Sequence, residues 1–70
     1  MRLITFFDLE EHPITVNIST VESVIWGSEE NDPTQIYFTS GRSYCFAHTD
    51  QRNHKLLALV GGEDWIKFTE

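Results

Sequence analysis

Cysteine, basic residues and long apolar runs are all scarce in this sequence. Its one cysteine, Cys45, leaves no intrachain disulfide to form, and nothing in the sequence indicates an oxidising compartment. No run approaches the ~18 consecutive apolar residues of a membrane span. The N-terminal stretch MRLITFFDLEEH lacks the long apolar segment and the small-residue cleavage site of a signal peptide. The sequence therefore predicts a cytoplasmic protein that neither enters nor crosses a membrane.

The sequence also contains few positively charged residues. Five Lys and Arg stand against eleven Asp and Glu, for a net charge of −6. Nucleic-acid-binding proteins ordinarily present a basic face, so this balance argues against direct binding of nucleic acid. It argues equally against anionic membrane surfaces. An acidic chain can bind a protein with a basic surface, although solubility alone would also explain the charge.

The length of 70 residues predicts a single domain, residues 1–70. A core this small rarely contributes more than roughly 3–5 kcal/mol, so we expect self-association as a further source of stability. Nine aromatic residues, five of them Phe, can build the core without disulfides or a metal.

Alternation of apolar and polar residues predicts strands in the first half of the chain. Leu3–Phe7 and Ile14–Ile18 show this pattern, and Val24–Trp26 is rich in β-branched and aromatic residues. Between them, Ile18, Val21 and Val24 are spaced by three residues, which favours a short helical turn or a bend.

The stretch TQIYFTSGRSYCFAH, residues 34–48, predicts a β-hairpin. Two β-prone arms flank the turn Thr39–Arg42, which contains Gly41. In the second arm, Tyr44, Phe46 and His48 would share one face of the strand, and Ser43, Cys45 and Ala47 the other.

A helix is predicted after the hairpin. Thr49 or Asp50 can cap its first turn, its apolar face is Leu56, Leu57, Leu59 and Val60, and Gly61-Gly62 ends it. The alternation in residues 63–70 then suggests a short strand or a docked tail. The order β-β-β-β-α, with a fifth strand in addition, predicts an α+β domain: a small antiparallel sheet of four to five strands with one C-terminal helix packed on it.

Reactive side chains are present but not in patterns that predict a reaction. Cys45, His48 and His54 resemble metal-ligand spacing, yet residues three apart on a strand point to opposite faces and a structural zinc site needs four ligands. We expect Cys45 to be buried and the histidines to lie at the surface. Cysteine-based catalysis would also need a cleft that 70 residues scarcely provide.

The carboxylate pairs Glu10-Glu11, Glu29-Glu30 and Glu63-Asp64 lie in polar segments, where they stay solvated and lack the raised pKa that general acid catalysis needs. We therefore expect no catalytic, metal or cofactor site, and a protein that is not an enzyme.

The remaining possibility is that the protein functions by binding a partner through its surface. Trp26 precedes the most acidic loop and Trp65 lies in the acidic C-terminal segment, and tryptophan supplies large contact areas at interfaces. Either ring could instead belong to the core. The candidate partner-binding residues are Trp26, Glu29, Glu30, Asp32, Trp65 and Phe68.

Four segments carry a resemblance to a known family. They are Leu3–Thr5, Ile14–Asn17, Val21–Val24 and Thr34–Tyr44, and the last follows the pattern T-x-I-x-L-T-x-G-x-x-Y with Phe38 at the leucine position. Together they resemble the short FlbD-like flagellar proteins over about residues 3–60. The chain departs from them in its Glu29–Asp32 loop and its Trp65–Phe68 tail. The resemblance implies a non-enzymatic accessory or regulatory protein and carries over no catalytic residue.

Two functional hypotheses follow from the sequence. The first is a small acidic protein-interaction or regulatory module that self-associates. The alternative is an acidic inhibitor of the phage or mobile-element type, which mimics nucleic acid and blocks a nucleic-acid-binding protein. That alternative requires one continuous acidic face made of Asp8, Glu10, Glu11, Glu29, Glu30 and Asp32.

Overall fold

Five strands precede two short helices in a computed structural model that describes residues 2–66. The strands are β1 (Leu3–Phe7), β2 (Pro13–Asn17), β3 (Val21–Ile25), β4 (Thr34–Phe38) and β5 (Ser43–Phe46). The helices are α1 (His54–Leu59) and α2 (Glu63–Ile66), and 3-10 turns cover Ile18–Thr20 and Gln51–Asn53.

The strands form two antiparallel sheets rather than one. β1 pairs with β2, while β4 lies between β3 and β5 in a three-stranded sheet. The 3-10 turn Gln51–Asn53 leads directly into α1, and this C-terminal helical segment packs against β1. The predicted class, a small α+β domain with a C-terminal helix on antiparallel strands, is confirmed.

The core lies where the two sheets meet the helix. Phe6, Ile36, Phe46, Leu56 and Leu57 are fully buried, and Ile4 and Phe38 are nearly so. The rings of Phe6 and Phe46 meet edge to face at 5.7 Å between centroids, a favourable aromatic geometry. The alternation in β1 decides which residues enter this core, since Ile4 and Phe6 face inward whereas Leu3 is exposed.

The hairpin turn lies where the sequence predicted it. The Gly41 N–H donates to the Phe38 carbonyl and the Phe38 N–H donates to the Arg42 carbonyl, each at 2.9 Å. Gly41 has a φ of +90°, in the left-handed region that glycine adopts at little cost.

Gly41→Val should lower the free energy of unfolding by about 1–2 kcal/mol, because a β-branched residue is strained at positive φ. A Cβ at this position would meet no other atom within 4 Å, so the whole effect is conformational. Gly41→Asn is the matched variant, since asparagine tolerates this region better. Urea denaturation measures both; equal losses for the two variants would contradict the assignment.

Two segments differ from the sequence-based expectation. The predicted bend is a 3-10 turn over Ile18–Thr20, but β3 already begins at Val21 instead of Val24. Residues 63–66 form α2 rather than a strand. Acidic Glu63 and Asp64 occupy its first turn, where they suit the positive end of a helix, and the Trp65 N–H donates to the Gly62 carbonyl. Phe68, in the predicted tail, lies outside the described residues.

Local signals set the ends of the main helical segment, as predicted. Asp50 caps its start by accepting the Arg52 N–H at 2.9 Å. Gly61, at a φ of +86°, follows its end, and the Gly62 N–H donates to the Leu57 carbonyl at 2.8 Å.

Candidate partner-binding surface

The acidic loop between β3 and β4 is fixed by a buried histidine. His48 is fully buried, and its Nε2 lies 2.9 Å from the Glu29 carbonyl oxygen. Its Nδ1 lies 2.6 Å from the Thr34 hydroxyl, which in turn accepts the Gly27 N–H at 3.1 Å. A carbonyl can only accept, so Nε2 carries a proton, and in the neutral ring Nδ1 accepts the hydroxyl proton of Thr34. Every polar atom in this chain of hydrogen bonds therefore has a partner.

Two further hydrogen bonds order the same loop from within. The Glu29 carbonyl also accepts the Asp32 N–H at 3.1 Å, and the Ser28 hydroxyl donates to the Asp32 carboxylate at 2.7 Å. The side chains of Glu29, Glu30 and Asp32 are thus displayed from a backbone that is held before any partner arrives, which lowers the entropic cost of binding.

This position of His48 corrects a sequence-based expectation. The sequence predicts the histidines at the surface and Cys45 in the core, whereas His48 is fully buried and Cys45 is only half-buried. Alternation along β5 is the reason: His48 follows Phe46 by two residues and shares its inward face, while Cys45 faces the other way. Both ring nitrogens of His48 have hydrogen-bond partners, so the ring offers Cys45 no general base.

The turn between β1 and β2 is the second ordered acidic segment. The Asp8 carboxylate accepts the N–H groups of Glu10 at 2.9 Å and His12 at 2.8 Å. The hydrogen bond from the His12 backbone is the main reason that the pKa of Asp8 is lowered. Glu11 adopts a left-handed conformation at a φ of 67° to close the turn.

Leu9 brings these two acidic segments together. Leu9 is 53% exposed and borders two neighbouring grooves on one side of the domain. One groove, of about 380 Å³, is lined by Asp8, Leu9, Glu10, Ser43, Tyr44 and Cys45. The other, of about 220 Å³, is lined by Leu9, Glu30, Asn31, Asp32, Pro33, Ala47 and Thr49. We call this pair of grooves the Leu9 surface; it joins exposed apolar area to carboxylates from segments about twenty residues apart.

One acidic residue of the turn between β1 and β2, Glu11, is already paired with a cation of the same chain. The Arg52 guanidinium forms ion pairs with Glu11 and with Asp50, the latter at 2.7 Å. These contacts raise the pKa of Arg52, and the hydrogen bonds from Arg52 lower the pKa of Asp50. The guanidinium also lies 4.4 Å from the centroid of the Phe7 ring. Glu11 is therefore already balanced by a cation of the same chain.

Neither tryptophan lines the Leu9 surface. Trp26 is half-buried and borders a groove between β3 and α1. It packs so closely on Gly62 that a Cβ there would come within 2.7 Å of the indole ring. Trp65 is half-buried against His48, with 4.0 Å between the ring centroids. Of the predicted partner-binding residues, the structure brings Glu30 and Asp32 together with Leu9. The other three described ones line neither groove: Trp26, Glu29 and Trp65.

Asn53 is a buried polar residue that sequence reasoning missed. It is fully buried, accepts the Phe7 N–H at 2.8 Å, and donates to the carbonyls of Phe7 and Ala47 at 3.1 Å each. Its amide thus links the end of β1 to the residue after β5, in place of a strand-to-strand hydrogen bond. The nearby caps were visible in the sequence, but these partners lie up to 46 positions away.

Neither a metal centre nor a membrane-spanning helix is found in residues 2–66. No group of three or more His, Cys, Asp or Glu side chains is placed to hold a metal ion there. No helix in the same part of the chain has the length and apolar character needed to cross a bilayer.

Comparison with known proteins gives no match: no family model, no curated protein and no solved structure is similar to this chain. The resemblance to FlbD-like proteins stays a prediction that depends on the residue pattern.

Proposed function

We propose that this protein is a non-enzymatic interaction module that binds a basic, partly apolar protein segment through the Leu9 surface. The supporting observation is that one exposed apolar side chain borders grooves carrying Asp8 and Glu10 on one side and Glu30 and Asp32 on the other. A partner that pairs Lys or Arg with an apolar residue would complement both features, since complementary potential gives specificity and fast association.

The ordered backbone beneath these carboxylates supports the proposal. The Asp8 turn and the loop held by His48 both have their hydrogen bonds made without a partner. Binding would then require little ordering of the loops, and more of the contact energy appears as affinity.

The nucleic-acid-mimic alternative is less well supported. It requires a continuous acidic face that includes Glu11, but Glu11 is paired with Arg52. Self-association remains a prediction from the small core. The Leu9 surface does not favour it, because two copies meeting there would bring like charges together.

Selection of random dodecamer peptides displayed on phage tests the proposed function. We expect enrichment of sequences that combine Lys or Arg with apolar residues. The affinity of a selected peptide should fall about tenfold in the double variant Glu10→Lys, Glu30→Lys, because two attractive charges become repulsive. It should also fall between 0.1 M and 1 M salt, where the screening length shortens from about 10 Å to about 3 Å.

Glu22→Lys is the matched control, since Glu22 is an exposed acid on β3 that lines the groove beside α1. It changes the net charge in the same direction without touching the Leu9 surface. Enrichment of acidic or purely apolar peptides, or an equal loss of affinity per charge in the control, would overturn the proposal.

A further inference from the structure

The pattern of hydrogen bonds between β4 and β5 shows which backbone groups of β5 point away from β4. The Phe38 N–H bonds to the Arg42 carbonyl, so Phe38 and Arg42 form a hydrogen-bonded pair. Along an antiparallel ladder, hydrogen-bonded pairs alternate with pairs that are not hydrogen-bonded to each other. Tyr44, opposite Ile36, and Phe46, opposite Thr34, therefore bond to β4, and the backbone groups of Ser43 and Cys45 point to the opposite edge.

That opposite edge is free in the part of the chain from 2 to 66, because β5 is the last strand of its sheet. Its free part is short, since Asn53 already occupies the Ala47 carbonyl at one end. The groove of about 380 Å³ that Ser43 and Cys45 line is also lined by Leu9 and Glu10. The outward-pointing backbone groups of β5 thus belong to residues that share a groove with the apolar and acidic side chains of the Leu9 surface.

The β5 edge lacks the devices that protect the edge strands β2 and β3. Charged residues, proline and bulges normally prevent an edge strand from pairing with another chain. β2 begins with Pro13, and β3 carries Glu22 at a register shift between Val21 and Ser23. β5 reads Ser-Tyr-Cys-Phe, without a charge, a proline or a register shift.

We propose that the partner binds as an extended strand added to the free edge of β5, with a Lys or Arg side chain against Glu10 and an apolar side chain against Leu9. This inference depends on the proposed function and specifies its binding mode. In strand addition, main-chain hydrogen bonds supply affinity and alternate side chains supply specificity. A second copy of this chain is a poorer occupant, because pairing of two β5 edges would bring the acidic turns of both copies together.

An N-methyl scan of a selected basic peptide, performed on the wild-type protein, tests the binding mode. An added strand directs every second N–H toward β5. N-methylation should therefore weaken binding at least tenfold at alternate positions and leave the positions between them within about twofold. Hydrogen exchange should show the Ser43 and Cys45 amides slowed at least tenfold by the peptide, while the Tyr44 and Phe46 amides are already protected without it.

A pair of protein variants gives an independent test. Cys45→Pro removes an edge-facing N–H without removing a β4–β5 hydrogen bond, since proline is tolerated at such positions, and it should lose at least tenfold in peptide affinity. Cys45→Ala removes the same thiol from the groove but keeps the N–H, so it measures the side-chain loss alone and should bind the peptide at least tenfold more tightly than Cys45→Pro. If Cys45→Pro does not melt cooperatively, the variant is not folded, and the N-methyl scan and the hydrogen-exchange measurement on the wild-type protein decide whether the partner adds as a strand.

The two proposals fail in different ways. Charge-dependent peptide binding without alternation in the scan, and without protection of Ser43 and Cys45, overturns strand addition and leaves the proposed function standing. Absence of any charge-dependent binding overturns both.

Discussion

Phe46→Ala should leave the domain largely unfolded at room temperature. The ring is fully buried and packs edge to face on Phe6. Truncating such a ring costs about 3–5 kcal/mol, from lost transfer free energy and the cavity left behind. A core this small contributes roughly that amount in total, so one substitution can remove the whole stability of the fold. Far-UV circular dichroism and urea denaturation measure the effect.

Two companion variants show whether burial of the Phe46 ring is the cause. Phe7→Ala removes the same ring from a half-buried site beneath Arg52, and we expect it to fold with a clearly smaller loss. Phe46→Leu keeps much of the buried volume and should cost about 1–2 kcal/mol. A Phe46→Ala protein as stable as Phe7→Ala would show that the Phe46 ring is not central to the core.

Asn53→Ala is the second large effect that we expect, at about 2–4 kcal/mol of unfolding free energy. The substitution leaves the N–H and the carbonyl of Phe7 without their Asn53 partner, and an unsatisfied buried polar group costs about 1–3 kcal/mol. The Ala47 carbonyl keeps a second donor, the Asp50 N–H. Loss of a helix cap does not contribute, because the Asn53 side chain makes no capping hydrogen bond to α1.

Asn31→Ala provides the matched control for Asn53→Ala. Asn31 is exposed in the acidic loop, so the same truncation there should change stability by less than about 0.5 kcal/mol. Hydrogen exchange adds a local readout: the Phe7 amide should exchange faster in Asn53→Ala and be unchanged in Asn31→Ala. A Phe7 amide equally protected in both variants would show that Asn53 does not link β1 to β5.

The local features of this fold could be predicted because their causes lie within a few residues. Alternation in β1 and β5 placed Phe6 on the same face as Ile4 and Phe46 on the same face as His48. Gly41 marked the hairpin turn, and Asp50 and Gly61 marked the ends of the helical segment. In each case a turn conformation, a cap or a two-residue period is set by backbone sterics and nearby hydrogen bonds.

The C-terminal segment shows where local reasoning failed. Alternation in residues 63–70 suggested a strand or a docked tail, yet Glu63–Ile66 is helical. A strand needs a partner for its backbone N–H and C=O groups, and Glu63–Ile66 pairs with no strand of residues 2–66. A helical turn satisfies its own backbone and lets Trp65 lie against His48.

Composition, alternation and turn chemistry by themselves determined the class of this domain, its hairpin, its helix ends and the acidic character of its loops. Only the tertiary structure decided that His48 fixes the Glu29 loop, that Asn53 links β1 to β5, and that Leu9 brings two acidic segments to one side. The physical reason is the distance along the chain. A hydrogen bond or a groove between residues 14 to 46 positions apart depends on how the sheets pack, and no short sequence window encodes that packing.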